Sequence, residues 1–473
     1  MHATSHAFVS NAKKSLTDAT LRKALGNMRG GFVNKRAATI AKVPEWDQLR
    51  DTGRAIKDHT LAHLDFYLEA YEAQVTASGG VVHWARTAEE ARQIILDICR
   101  SVDAKTVTKG KSMIAEEIGL NDFLEQKGVT PVETDLGEYI IQLRKEPPSH
   151  IIAPAIHLTA EQVAETFRKS HTHLDPARPL SEHRALLEEA RAELRAKYFA
   201  ADVGITGANF LIAETGTSVI VTNEGNGDLT QLLPKVHIAI ASLEKIVPTL
   251  EDATTLLRLL ARSATGQEFS SYTTFSTGPR RPEDPDGPEQ YHVVLLDNGR
   301  SGMLGTEFQD MLRCIRCSAC MNHCPVYGAV GGHAYGWVYP GPMGSVLTPT
   351  LIGVDEAGHL PNASTFCGRC EQVCPMKIPL PKMMRHWRER QAEEKLSPAA
   401  TRYGIGIWAF FATRPTLYRW LTRAVAAGLS LASRKKGRFT SLPLAGGWTR
   451  VRDMPAPQGQ TFQALYAKQR GRR

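Results

Sequence analysis

The chain has 473 residues, 42% hydrophobic and 22% charged, which suits a globular protein of about two to four domains whose core needs no disulfides. No run of 18 or more apolar residues offers a membrane span, and the opening MHATSHAFVSNAKKSL lacks the apolar stretch of a secretory leader, so a cytoplasmic protein is expected. The net charge of +8 is uneven: from Lys382 onward 19 Lys/Arg face 4 Asp/Glu, which leaves 38 against 45 elsewhere, so the basic tail is no argument that the whole protein binds nucleic acid.

The first 80 residues read as helical, with DTGRAIKDHTLAHLDFYLEAYEAQV carrying apolar positions at helical spacing. Residues 1–60 are expected to form a helical segment packed on the neighbouring domain. From 61 to 300, strand-like and helical stretches alternate, which predicts an α/β domain. Thr87 to Glu90 spells a capping box opening a helix that places Ala91, Ile94, Ile95, Ile98 and Cys99 on one face, so Cys99 reads as a core thiol. Short apolar runs come next at Thr106–Thr108, His150–Ala153 and Val236–Ala241. Asn209–Thr222 predicts two strands around Thr215-Gly216, and His292–Leu296 another. The Pro/Gly-rich TGPRRPEDPDGPEQ, 277–290, is a loop. Residues 301–395 hold the cysteines, and 396–473 form a basic C-terminal region. There, Ser397–Ala432 predicts two helices broken at Thr413-Arg414-Pro415, and then a Pro/Gly-interrupted, partly extended end.

Seven of the eight cysteines fall between Cys314 and Cys374, in two runs: Cys314-x2-Cys317-x2-Cys320-x3-Cys324-Pro325 and Cys367-x2-Cys370-x3-Cys374-Pro375. The first is the bacterial ferredoxin pattern in full. Three thiolates on one tight loop reach three irons of a cubane, and the fourth, three residues on, turns to the neighbouring cluster. Reciprocal exchange gives cluster one Cys314, Cys317, Cys320 and Cys374. Cluster two takes Cys324, Cys367 and Cys370, with Ser364 where a fourth thiolate would stand. A [3Fe–4S] cluster, a serine oxygen ligand, a water or other exogenous ligand, and a partner's ligand all remain open. Zinc is disfavoured, because it takes four ligands from separated pairs and seven cysteines do not divide by four. The 42 residues between Cys324 and Cys367 exceed a small ferredoxin's connection and predict a mainly helical two-cluster domain.

Weaker signals carry alternatives. Gly110-Lys111-Ser112 ends like a phosphate loop, but Lys105 occupies the required glycine position, which leaves an anion contact by Lys109 or Lys111, or a solvated turn. Glu214-Thr215-Gly216-Thr217 and Thr222-Asn223-Glu224-Gly225-Asn226 are polar strand ends, suited to a small-molecule site or to hairpin turns. His150, His157 and His237 read as structural, with no carboxylate partner evident. In the tail, Ile405, Ile407, Trp408, Phe410, Phe411, Leu417, Tyr418, Trp420 and Leu421 lie beside Arg414, Arg419, Arg423 and Arg434-Lys435-Lys436. Such helices suit a membrane surface, a partner subunit or the chain's own cysteine domain. No catalytic residue is assigned.

CIRCSACMNHCPVYG, GGHAYGWVYPGPMG and CGRCEQVCPMKIPLP, with upstream KGKSM, ETDLGEYIIQL, PSHIIAPAIH, ADVGITGANFLIAETGT and LLDNGRS, resemble the lactate utilization B-type iron–sulfur proteins over essentially the whole chain. The resemblance implies a LUD domain at 61–300, an α/β fold related to ribose-phosphate isomerase and CoA transferases. It implies two iron–sulfur clusters, the first [4Fe–4S] and the second [4Fe–4S] or [3Fe–4S], with the three-thiolate second set a family trait. Ser318 stands where glycine is common. The implied function is electron transfer, without catalysis of its own, in an L-lactate to pyruvate system. Its implied partners are a cysteine-rich subunit, a second LUD-domain subunit and an unidentified electron acceptor. A LUD domain that itself converts a small ligand is the alternative.

Overall fold

The computed structural model describes residues 3–433, 437–442, 445–449 and 451–471. Apolar periodicity in the first 80 residues becomes the helices Phe8–Thr17, Ala19–Met28, Lys35–Ile40, Trp46–Ala62 and Leu64–Ala77. The long periodic stretch is two helices, because His63 leaves helical geometry at φ −130° and ψ 38°. Gly53 lets the Trp46–Ala62 helix lie close on Leu250–Ala264, since a Cβ there would stand 2.5 Å from Leu259 Cδ1.

The α/β region has ten strands: β1 Val81–Ala85, β2 Thr106–Gly110, β3 Thr130–Glu133, β4 Val203–Gly207, β5 Phe210–Ile212, β6 Thr217–Thr222, β7 Val236–Ser242, β8 Ile246–Val247, β9 Tyr272–Ser276 and β10 Gln290–Leu296. Six form a sheet in the order β1-β10-β7-β4-β2-β3, every pair parallel. Every residue of β4 and β7 is buried, as expected of central strands covered on both faces. A smaller sheet, β8-β5-β6-β9, carries the predicted β5–β6 hairpin, with Gly216 at φ +66° in its turn.

The helix after Thr87 forms as expected, and Thr87 Oγ1 accepts from Glu90 N at 3.2 Å. The return bond differs from a true capping box, since Glu90 Oε2 accepts from Arg86 N instead (2.6 Å). Cys99 is fully buried beside Ala91 and Ile95. The run His150–Ala153 is not a strand. Pro147, Pro148 and Pro154 bracket it, and the His150 ring turns back so that its Nδ1 accepts from Ile152 N and Ala153 N, each at 3.2 Å. Strand β9, largely exposed and at an edge, had no alternating signature to announce it.

The cysteine segment is built from short helical pieces, among them Gln309–Arg313, Ala319–Asn322, Pro325–Val330, Gly341–Ile352 and Arg369–Val373. Its glycine-rich connection passes hard against the α/β region: a Cβ on Gly332 would stand 1.7 Å from Ser149 O. The chain divides into two compact units, Met1–Arg390 and Gln391–Arg473, so the parallel sheet and the cysteines share one unit. In the second, Ala399–Ala412 and Pro415–Ala432 are the predicted helices, with Pro415 at the first helical position. Trp408, Trp420, Ile405 and Ile407 on them are exposed. The C-terminal end is less extended than expected, since Thr461 caps a helix over Phe462–Arg470. Arg434-Lys435-Lys436 lie outside the described residues. Among the described residues no helix is long and apolar enough to cross a membrane.

Candidate functional site

The two cysteine loops share one backbone design. In the first, Arg316 and Ser318 flank Cys317 with φ of 59° and 61°; in the second, Phe366 and Gly368 flank Cys367 with φ of 55° and 75°. These paired left-handed residues curl the chain so that cysteines three apart face one side. The same register puts Ser364 at the place that Cys314 fills in the first loop. Ser364 Oγ is engaged locally, accepting from Phe366 N at 3.0 Å. Ser318 takes the left-handed position that Gly368 holds in the second loop.

Cys314, Cys317, Cys320 and Cys374 line one apolar cavity, walled by Ile315, Met321, Met343, Met376 and Ile378. All seven cysteines of the segment, like Cys99, are free of disulfides. Burial, then the nearby Cys374 and Cys314, push the Cys317 thiol to about 12. Burial also raises Cys374, to about 11, and lifts Cys320 well above the ordinary thiol range together with its cysteine neighbours. Such a set becomes four thiolates only against positive charge, which iron supplies when bound. Ile378 N donates to Cys374 Sγ at 3.5 Å. Arg36 and Arg50 stand close, donating to the carbonyls of Val373 (2.7 Å) and Cys374 (2.8 Å). Cys324, Cys367 and Cys370 form the other group: burial and then Cys367 raise the Cys324 thiol, and burial with Cys324 and Cys367 pushes Cys370 up to about 12. Cys367 is exposed and its thiol is lowered, mainly by hydrogen bonding from the Arg369 backbone. Among the described residues no three Cys, His, Asp or Glu side chains gather tightly enough to hold a single metal ion. The donor set fits clusters, because four of its thiols surround one apolar cavity, with Cys99 apart in the sheet core.

A second cavity, of about 180 Å³, opens at the carboxyl ends of β2, β4 and β7, against the first cysteine loop. Lys111, Thr222 and Asn223 line it, as their strand-end positions suggested. Lys109 does not: it is wholly buried and paired with Glu116 (2.8 Å) and Glu133 (2.6 Å). Neither lysine sits on a solvated turn. Glu214 is exposed at the β5–β6 hairpin, where its carboxylate accepts from Leu250 N at 3.2 Å and caps the Leu250–Ala264 helix. It lies away from the cavity. His150 Nε2 donates to Asn322 Oδ1 (2.8 Å) and ties its loop to the cysteine segment. His237 meets Thr206 at 2.8 Å. His157 does have a carboxylate partner, Glu146 at 3.0 Å, eleven residues away and invisible to local spacing.

Sequence reasoning missed a buried charge network joining the sheet to the first cysteine loop. Arg300 grips Glu117 with two hydrogen bonds (2.9 and 2.6 Å), and its Nε stands 3.3 Å from Glu244. Tyr339 Oη donates to Glu117 at 2.6 Å, and Asn298 Nδ2 at 2.7 Å. Arg316, between Cys314 and Cys317, pairs with Glu244 at 3.0 Å and lies 5.5 Å from the Tyr339 ring. Burial alone would raise the Glu244 pKa, but Arg300 and Arg316 outweigh it and hold the carboxylate down to about 2. Arg316 sat in plain view inside the cysteine run; its partner Glu244 carried no local signal.

Family comparisons match these parts in turn: LUD domain over residues 68–296, 4Fe-4S dicluster domain over 310–378, and lactate utilisation protein B, C-terminal, over 377–471. Lactate utilization protein B of Macrococcus caseolyticus is 43% identical over 467 residues, covering 98% of this chain and 97% of that protein. The chain belongs to the lactate utilization protein B family. The Shouchella clausii member is 44% identical over 460 residues, covering 96% of this chain and 95% of its own. The Escherichia coli protein described as uncharacterized electron transport protein YkgF is 39% identical over 463 residues, covering 98% and 96%. In this family member the iron–sulfur cofactors belong to the cysteine segment, beside an α/β LUD domain with a parallel sheet.

Proposed function

We propose that this chain is the electron-transfer subunit of a system that oxidises L-lactate to pyruvate. The observation that carries the reading is the pair of cysteine groups, each completed by a residue from the other run. Cys314, Cys317, Cys320 and Cys374 would hold a [4Fe–4S] cluster. Cys324, Cys367 and Cys370 would hold a second cluster, [4Fe–4S] or [3Fe–4S], with Ser364 at the vacated ligand position. Lactate gives up two electrons and two protons on becoming pyruvate, and each cluster passes one electron at a time, so a neighbouring pair suits the relay. The cationic surroundings, Arg36 and Arg50 among them, favour the extra electron by offsetting its charge.

In this reading residues 1–60 are a helical lead-in, 61–300 the LUD domain, related in fold to ribose-phosphate isomerase and CoA transferases, 301–395 the cluster domain and 396–473 the basic region. The partners are a cysteine-rich subunit and a second LUD-domain subunit, in the cytoplasm. The exposed aromatic and basic helices of the last region are the proposed contact with a partner or with the inner membrane face. The test is EPR with iron and acid-labile sulfide quantitation on anaerobically purified protein, oxidised and reduced. Two interacting reduced clusters and no lactate turnover by the isolated chain support the reading. A colourless protein without labile sulfide refutes it, and lactate turnover by the chain alone favours a LUD-domain enzyme.

A further inference from the structure

The cavity between the parallel sheet and the first cysteine loop has the composition of a binding site. Its floor is the carboxyl ends of β2, β4 and β7, where open parallel sheets place their ligands. Three cations reach its wall: Lys111, Lys245 and Arg316. Lys111 is neutralised by Asp135 and by Glu224 at 3.1 Å. The other two are not fully answered. Lys245 lies just after β7 and makes no ion pair or hydrogen bond within the described residues. Arg316 directs one nitrogen to Glu244, and its buried Nη1 has no hydrogen-bond partner. A buried guanidinium donor without an acceptor is unfavourable, and an anion in the cavity would answer it.

The remaining wall narrows the class of anion. Asp135 and Glu138 face the same space, which would repel a multiply charged phosphate. Burial, then Glu133 and Asp135, push the Glu138 carboxyl well above its ordinary range and favour the neutral acid, able to donate or accept a hydrogen bond. Asn209 and Ser242 add neutral polar atoms, while Ile152 and Val221 supply apolar surface for a short carbon chain. Two cations without a full set of partners, Lys245 and Arg316, together with neutral or acidic oxygens elsewhere on the wall match a molecule with one carboxylate and a hydroxyl or carbonyl beside it.

We propose that this cavity binds a small 2-hydroxy- or 2-oxo-monocarboxylate, with Lys245 and Arg316 taking the carboxylate and the Asp135–Glu138 side meeting the neighbouring oxygen. Arg316 belongs to the loop that carries Cys314 and Cys317, so the occupant lies next to the first cysteine group. Binding here does not require that electrons pass through that group.

The test is isothermal titration calorimetry on the anaerobically purified full chain, with L-lactate, pyruvate, glycerol and inorganic phosphate as separate probes. Saturable binding of lactate or pyruvate at one site per chain is expected, without measurable binding of glycerol and with phosphate weaker than either acid. Lys245→Gln should weaken the carboxylate at least tenfold while the iron and acid-labile sulfide content of the protein stays unchanged. Ala208→Leu, which fills the cavity without touching a charge, should do the same and serves if the lysine variant misfolds. No saturable binding of either acid, wild-type affinity in a folded Lys245→Gln or Ala208→Leu protein, or tighter binding of phosphate overturns the proposal. EPR-silent protein that still binds pyruvate would refute the electron-transfer reading and leave this one standing.

Discussion

Replacing Glu244 by glutamine removes one negative charge from the seam between sheet and cysteine loop while keeping its shape. Glu244 is 2% exposed and answers Arg316 at 3.0 Å and Arg300 at 3.3 Å. Its carboxylate pKa is held at about 2 against an ordinary 4.5, and at 1.36 kcal/mol per pKa unit the charge contributes about 3 kcal/mol. That agrees with the roughly 3–5 kcal/mol lost when one partner of a buried pair is removed. Arg300 retains Glu117; Arg316 retains no carboxylate partner, so most of the loss falls on the first cysteine loop. The assay is urea denaturation of anaerobic holoprotein at pH 7.5, monitored by far-UV circular dichroism and by cluster absorbance. With a slope of about 3 kcal/mol per molar urea, the midpoint of Glu244→Gln should fall by up to about 1 M, and cluster bleaching should move with it. The sign with pH comes from the lowered pKa: the wild-type advantage is complete above 4.5 and is lost as pH falls toward about 2. A loss below about 1 kcal/mol at pH 7.5, or cluster bleaching that stays where it was, would show that this network does not hold the loop.

Burial keeps His150 and His157 neutral with pKa values lowered to about 4, and His237 to about 3. Unfolding lets each take a proton below about 6.5, so stability present above that pH is lost as pH falls, by about 4 kcal/mol for the three rings between pH 7.5 and 5.5; denaturation across that range measures it, and an unchanged midpoint contradicts it. Ser318→Gly should raise the urea stability by about 1 kcal/mol, because a left-handed φ of 61° strains serine and glycine adopts it freely. Cys317→Ala should remove the EPR signal of the first cluster and about four irons, and retention of full iron content would refute the ligand assignment. Glu214→Gln should leave both clusters intact and cost less than about 1 kcal/mol, the worth of an exposed helix cap, as read by thermal denaturation.

Local chemistry announced most of the elements. The hairpin around Thr215-Gly216 and the helix break at Pro415 need only a few neighbouring residues, and so were legible. His150–Ala153 was not, because its apolar content says strand, while the flanking prolines and the inward-turned His150 ring decide otherwise. Strand β9 escaped for the opposite reason: in YTTFS the aromatics Tyr272 and Phe275 are exposed, no alternating buried face marks it, and it owes its strand to pairing with β6.

The cysteine spacing by itself determined that this protein gathers thiols in two groups, since a residue's reach along a tight loop is fixed by backbone geometry. Only the tertiary structure decided what surrounds them. Lys245, Glu244, Arg300 and Glu117 are scattered across nearly two hundred positions, and nothing local marks them as belonging to one charged seam with Arg316. Electrostatic pairing in a water-poor seam depends on distance in space, which the chain sets only once it has folded.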